Sequence, residues 1–78
     1  MNEPKFEFDW NEEVAVASDA PAKFGPSKTG AVVGMRFIEN EMQASPAGVP
    51  IGTVLYIVEF ADGNSVEVPA SFLRRADL

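Results

Sequence analysis

Glu59 and Glu67 are the one pair of carboxylates that the sequence places opposite each other, on either side of an Asp-Gly turn. Two carboxylates held close together can share a proton for acid–base work or share a cation. Alternatively, both are solvated and lie apart, or turn toward Arg74 and Arg75. We favour this second interpretation, because tuned carboxylate pairs are rare away from clefts.

Nucleophilic and metal chemistry lack their usual side chains. The chain contains no His and no Cys, so no imidazole can activate any of its five serines. The common ligands of zinc, haem and iron–sulfur sites are missing for the same reason. The sequence therefore predicts no catalytic residue, no cofactor and no metal site.

Anion binding is also disfavoured. Residues 25–30 read Gly-Pro-Ser-Lys-Thr-Gly, but the Gly-Lys-Ser/Thr order of a phosphate loop is absent and Pro26 removes a backbone donor. The formal net charge is -6, which repels phosphate backbones. We expect no nucleic-acid partner.

An apolar patch is the leading candidate for a functional surface. Leu55 and Ile57 alternate with apolar neighbours, so a strand here needs cover on both faces. We expect these two residues to form an exposed patch with Met35 and Phe37, and such a patch usually marks an interaction surface. The cover comes from N-terminal aromatic residues, from the long loop that precedes this strand, or from another molecule. The predicted partner-binding residues are Leu55, Ile57, Met35, Phe37, Trp10, Glu59 and Glu67.

The elements that must position these side chains are short strands. Alternating apolar residues predict strands at residues 12–17 and 30–38, in two runs around the Asp-Gly turn, and near Arg74. Pro- and Gly-rich stretches predict long loops at 18–29 and 39–52. Gly34, inside the second strand, suggests a bulge or a bend.

The register of the last hairpin follows from its apolar alternation. We expect Phe60 opposite Val66, which buries both on one face and sets Glu59 opposite Glu67. The turn is then a three-residue loop at 62–64, in which Gly tolerates a positive φ.

Length and composition limit the class of protein. Seventy-eight residues make one small domain, and without Cys its core holds by packing or by association with another chain. The longest apolar run, residues 54–58, is too short to cross a membrane, and the N-terminal segment lacks the pattern of a signal peptide. We expect a cytoplasmic protein with no membrane partner, divided into a lead-in segment (1–11) and a small barrel (12–78).

Two segments resemble those of a known family. Residues 28–34, Lys-Thr-Gly-Ala-Val-Val-Gly, and residues 55–60, Leu-Tyr-Ile-Val-Glu-Phe, are similar to segments of the SH3-like domain of the nitrile-hydratase β-subunit. Over residues 10–77 the chain resembles SH3-like small barrels of bacteria, including small immunity proteins and integron-cassette proteins. The resemblance implies an all-β fold, a five-stranded SH3-like barrel, of bacterial or mobile-element origin. These motifs are structural and specify a fold more than a function.

One enzyme, the type II dihydrofolate reductase, has a similar barrel. Its tetrameric pore is lined by a Val-Gln-Ile-Tyr segment, where this chain reads Val-Glu-Val-Pro at residues 66–69. Only Val66 is retained, and a ring of Glu67 side chains around a symmetric pore would repel an anionic cofactor and folate.

The sequence therefore leads to a non-catalytic binding module, not an enzyme, whose partner is another protein or a second copy of the chain. An immunity-type module predicts a basic partner and salt-sensitive association. The alternative is an oligomeric enzyme whose site forms at the symmetry axis, as in type II dihydrofolate reductase. A third interpretation is a small-ligand site between the two long loops, with Trp10 and Tyr56 as stacking groups.

Overall fold

Residues 6–76 are described by a computed structural model, in which five short strands form one antiparallel sheet. The strands are β1 (Glu13–Val16), β2 (Thr29–Phe37), β3 (Val54–Phe60), β4 (Ser65–Pro69) and β5 (Leu73–Arg75). One helix, α1 (Glu41–Ala47), and two short 3-10 helices (Ala22–Phe24 and Ala70–Phe72) lie in the connections. The prediction of an all-β fold with five strands is confirmed.

The sheet is a meander whose last strand returns to its first. Its order is β4-β3-β2-β1-β5, and every neighbouring pair is antiparallel. Within residues 6–76, β4 and β5 form the two ends of the sheet and do not pair with each other. The sheet is therefore not closed, and the predicted small barrel is not confirmed.

The β3–β4 hairpin has a different register from the predicted one. Val66 lies opposite Val58, two residues away from its expected partner, and Glu59 lies opposite Ser65 instead of Glu67. A shift of two residues leaves each side chain on the face predicted for it, because side chains alternate with a period of two. The apolar pattern alone could not separate the two registers, and the predicted carboxylate pair does not form.

Local turn chemistry fixes the observed register. The Asn64 N–H donates to the Asp62 carboxylate at 2.9 Å, which makes a side-chain-stabilised turn. The Gly63 N–H donates to the Phe60 carbonyl at 2.9 Å, and Gly63 has a φ of 89°. The Phe60 N–H in turn donates to the Asn64 carbonyl at 2.8 Å and closes a loop of residues 61–63.

A bulge in β2 turns Met35 toward the core. The β2–β3 register skips Val33, next to Gly34, so the alternation of side chains inverts at this point. Met35 then lies opposite Tyr56 and packs against the main core. Phe37 is half-buried on the same side of the strand. The predicted bulge near Gly34 is confirmed, whereas the expectation that Met35 and Phe37 point outward is wrong.

The main core is built on an aromatic pair from the N-terminal segment and β3. Tyr56 is fully buried, and its ring meets Phe8 edge to face with centroids 5.2 Å apart. The Phe8 N–H donates to the Tyr56 hydroxyl at 3.2 Å. The buried members of this core are Phe8, Val14, Val16, Ala20, Val32, Tyr56, Val58, Phe60 and Val68.

Helix α1 occupies part of the predicted long loop 39–52. Asn40 caps its start by accepting the Gln43 N–H at 3.1 Å, and the Gln43 side chain accepts the Glu39 N–H at 2.6 Å. These contacts resemble a capping box, in which the N-cap residue and the third helical residue bond each other reciprocally. Here the Gln43 side chain accepts from Glu39, one residue before the N-cap. Gly48 ends the helix in the left-handed region with a φ of 71°.

The helix covers the outward side of Leu55. Ile38, Ala44 and Leu55 form a second buried cluster, against which Ala47 and Val49 pack. Leu55 is 2% exposed, so the expectation that it belongs to a free patch is wrong. Of the covers considered for this face of β3, the chain's own segment 39–52 is the one found over Leu55.

Candidate functional site

A row of three residues crosses the sheet face that is turned away from the main core. Glu13 of β1 pairs with Ala31 of β2, and Ala31 pairs with Glu59 of β3. Their neighbours Val14, Val32 and Val58 are buried on the opposite face, so Glu13 and Glu59 project outward together. Two strand spacings place the Cα atoms of the two glutamates about 10 Å apart. We call the surface formed by Glu13, Ala31, Ile57 and Glu59 the outer face.

The two glutamates border a shallow depression. Its volume is about 290 Å³, and the small side chain of Ala31 is one of its lining groups. Both glutamates are exposed, and no ion pair among residues 6–76 includes either of them. The depression is lined by Asn11, Glu13, Thr29, Gly30, Ala31, Glu59, Phe60 and Ala61. Two solvated carboxylates facing each other across a small residue can accept a cationic side chain between them.

Two exposed apolar residues belong to backbone segments that adjoin this acidic row. Trp10 is 62% exposed and Val33 is 37% exposed. The Asn11 N–H donates to the Val32 carbonyl at 2.7 Å, which brings the segment after Trp10 against the bulge that exposes Val33. An exposed aromatic residue such as Trp10 can add apolar contact area to an interface.

The turn that carries Trp10 is held on both sides. Asn11 adopts a left-handed φ of 66°, and the Asp9 N–H donates to the Glu12 carboxylate at 2.9 Å. The same carboxylate pairs with Arg75 Nε at 2.6 Å, and Arg75 Nη2 donates to the Glu7 carbonyl at 3.1 Å. These contacts fix the backbone around Trp10, so its exposure is built into the fold.

In the next row across the sheet, Gly34–Ile57–Glu67, the charge of the carboxylate is neutralised by an arginine. Ile57 lies between Gly34 and Glu67 and is half-buried. Arg36 binds Glu67 through two bonds, Nε to Oε2 at 2.7 Å and Nη2 to Oε1 at 3.0 Å. Glu67 therefore has a partner within the chain, whereas Glu59 has none among the described residues.

The seven predicted partner-binding residues separate into three groups. Trp10, Ile57 and Glu59 lie on or beside the outer face, while Leu55 and Met35 are covered by the chain's own side chains. Of the remaining two, Phe37 is half-buried on the core side of β2, and Glu67 is paired with Arg36. Sequence reasoning missed Glu13 and Val33, although the Glu-Val-Ala-Val alternation of β1 already puts Glu13 on the outward side.

A second concavity lies between the two predicted loops, 18–29 and 39–52. It is a groove of about 410 Å³, lined by Pro21, Lys23, Phe24, Gly48, Val49, Pro50, Thr53, Pro69, Ser71 and Phe72. This is the location expected for a small ligand. Trp10 and Tyr56 are not among its lining residues, and Tyr56 is fully buried, so the expectation that these two stack on a ligand there is wrong.

Among the described residues, one carboxyl group, that of Asp62, has a clearly shifted pKa. The Asn64 N–H that donates to Asp62 lowers the pKa of this carboxyl below 3.8, and Lys28, 3.9 Å away, acts in the same direction. No group of three His, Cys, Asp or Glu in residues 6–76 is arranged to hold a metal ion. The same part of the chain contains no helix long and apolar enough to cross a membrane.

Comparison of the chain with family models, with curated proteins and with solved structures finds no match. The outer face and the groove are therefore the two surfaces from which a function can be inferred.

Proposed function

We propose that the protein is a non-catalytic binding module of the SH3-like type that docks a basic segment of a protein partner on its outer face. The observation that carries this proposal is the row Glu13–Ala31–Glu59, with two exposed carboxylates about 10 Å apart across a small residue. A guanidinium or ammonium group fits this row, because it can bind either carboxylate or lie between them.

Exposed Trp10 supplies the apolar part of the proposed contact. Tryptophan and arginine are enriched at interfaces, where an aromatic ring buries a large area beside charged groups. Trp10 and Val33 give the partner an apolar anchor next to the acids. The turn around Trp10 lowers the entropic cost of docking, since its backbone is already held in place.

The strand order supports the SH3-like assignment, which remains a proposal. Five short antiparallel strands, with the last strand returning to the first, agree with the resemblance of residues 28–34 and 55–60. The bacterial or mobile-element origin rests on that resemblance alone.

The location of the site can be tested with a minimal basic probe. We suggest titrating 15N-labelled protein with acetyl-Arg-Leu-Arg-amide and, as the neutral control, with the same peptide carrying citrulline in place of both arginines. The expected result is a set of amide shifts confined to residues 10–13, 31–34 and 57–59, weakened by added salt and much smaller with citrulline. Shifts scattered over the surface, or equal shifts from both peptides, would refute the proposal.

Self-association is a different outcome and can be measured separately. Two copies that met through the outer face would bring like charges at Glu13 and Glu59 together, which is unfavourable. We therefore expect light scattering to give the monomer mass across a concentration series. A stable dimer or tetramer would instead make the chain its own partner, and would favour the alternative of an oligomeric enzyme with a site on the symmetry axis.

A further inference from the structure

The groove between residues 18–29 and 39–52 is a second surface, distinct from the outer face. It shares no lining residue with the depression at Glu13 and Glu59. Its volume, about 410 Å³, falls within the range of roughly 300–1,000 Å³ that is typical of small-molecule sites.

The walls of the groove are apolar and preformed. Phe24 and Phe72 lie with ring centroids 5.8 Å apart and planes inclined by 35°, and both pack against the main core. Val49, another lining residue, packs against the second cluster under α1. Pro21 and Pro50 restrict the backbone at the rim, because each ring fixes its own φ. An apolar ligand would thus meet a wall that is already ordered.

The polar groups of the groove point to an anion. Lys23 is the one charged lining residue, and its Nζ lies 5.1 Å from the centroid of the Phe24 ring. No ion pair within the described part of the chain engages Lys23. The Thr53 hydroxyl donates to the Pro50 carbonyl at 2.7 Å, which leaves Lys23 and the exposed Ser71 as the side-chain donors available to a ligand.

The charge of this region contrasts with that of the whole chain. The net charge of the protein is -6, yet the one charged residue that lines the groove is Lys23. The other two bases of residues 20–38 do not line it and are paired with acids, Lys28 with Asp62 and Arg36 with Glu67. An anionic ligand therefore finds one favourable charge at the groove, that of Lys23, and this charge orients its anionic end.

We propose that the groove binds a small apolar carboxylate, with its carboxylate at Lys23 and its hydrocarbon or aryl part against Phe24 and Phe72. The proposal stands independently of partner binding on the outer face. It requires no covalent step and no cofactor.

The test uses 3-phenylpropionate as the probe and its neutral amide, 3-phenylpropionamide, as the matched control. Titration of the 15N-labelled full chain with the acid is expected to shift amides at residues 22–24, 48–53 and 71–72. The amide should bind roughly two- to fivefold more weakly, the size expected for loss of one exposed ion contact. Lys23→Gln should reduce the affinity for the acid to that of the amide. Lys28→Gln removes the same charge outside the groove and should leave the affinity unchanged.

Three results would overturn the proposal. One is the absence of localised shifts at millimolar probe. The second is equal affinity for the acid and the amide. The third is an equal loss of affinity in Lys23→Gln and Lys28→Gln, which would mean that net charge alone attracts the probe. Both substitutions are on exposed side chains, and their amide spectra will show directly that the variants are folded.

Discussion

Arg36 and Glu67 hold each other across β3, with Nε to Oε2 at 2.7 Å and Nη2 to Oε1 at 3.0 Å. The two side chains come from strands that are not neighbours, so the pair spans the strand between them. It also removes Glu67 from the set of free acids. Glu59 and Glu67, which the sequence predicted to form one carboxylate pair, thus have different environments.

We predict different effects for the two corresponding substitutions. Glu67→Gln should lower the free energy of unfolding by about 0.2–1 kcal/mol, because the lost ion pair is largely exposed, and should leave binding of the arginine peptide unchanged. Glu59→Gln should leave stability unchanged and weaken peptide binding. Urea unfolding measures the stability, and the peptide titration measures the binding. The prediction would be contradicted if Glu67→Gln weakened peptide binding and Glu59→Gln lowered the stability.

The Tyr56 hydroxyl should contribute to stability through one buried hydrogen bond. Tyr56→Phe keeps the ring that packs on Phe8 but leaves the Phe8 N–H without its acceptor, at a cost of about 1–3 kcal/mol. Phe8→Ala should cost more, about 3–5 kcal/mol, since it also empties part of the core. Chemical denaturation of both variants measures these values, and a Tyr56→Phe protein as stable as the parent would show that water replaces the bond.

Two glycines of β2 should respond differently to a methyl group. A Cβ on Gly30 would lie 2.5 Å from the Glu59 carbonyl oxygen, so the backbone of β3 would have to move. A Cβ on Gly34 would lie 2.9 Å from the terminal methyl of Ile57, which can rotate away. We expect Gly30→Ala to lower the melting temperature clearly and Gly34→Ala to lower it less. Equal effects would contradict the close approach of β2 and β3 at Gly30.

The β3–β4 turn should weaken in acid. The bond from the Asn64 N–H lowers the pKa of Asp62 in the folded state, so the charged carboxylate stabilises the fold above pH 3.8. This contribution is lost as the pH falls below 3.8 and through the lower folded-state pKa. Asp62→Asn keeps an acceptor oxygen for Asn64 and should show a smaller loss of stability in acid. Carboxyl NMR measures the titration directly, and a midpoint at or above 3.8 would contradict the prediction.

The strands were predictable because burial alternates along them. Val14 and Val16, like Val66 and Val68, repeat every second residue, and each pair has the common orientation that the alternation predicts. The hairpin register was not predictable from this pattern, because a shift by two residues preserves it. The deciding signal was the Asp62 side chain, whose bond to Asn64 selects the turn.

The helix and the acidic row depended on contacts between distant parts of the chain. Asn40 and Gln43 have the spacing of a helix cap, but Pro46 and Gly48 concealed it, and α1 is stabilised by packing against Leu55 rather than by its own propensity. Likewise, the registers of β1, β2 and β3 are what bring Glu13 and Glu59 into one row of the sheet. No local spacing in the sequence reports that relationship.

The central claim is that Glu13 and Glu59 form the binding site for a basic segment, rather than merely adding to the net charge. The most direct measurement compares two double variants that lose the same two charges, Glu13→Gln with Glu59→Gln and Glu39→Gln with Glu41→Gln, all four positions being exposed. Binding of acetyl-Arg-Leu-Arg-amide can be followed through the fluorescence of Trp10, the only tryptophan. We predict that the first double variant loses most of its affinity and that the second binds like the parent protein. Equal losses in both variants would contradict the claim.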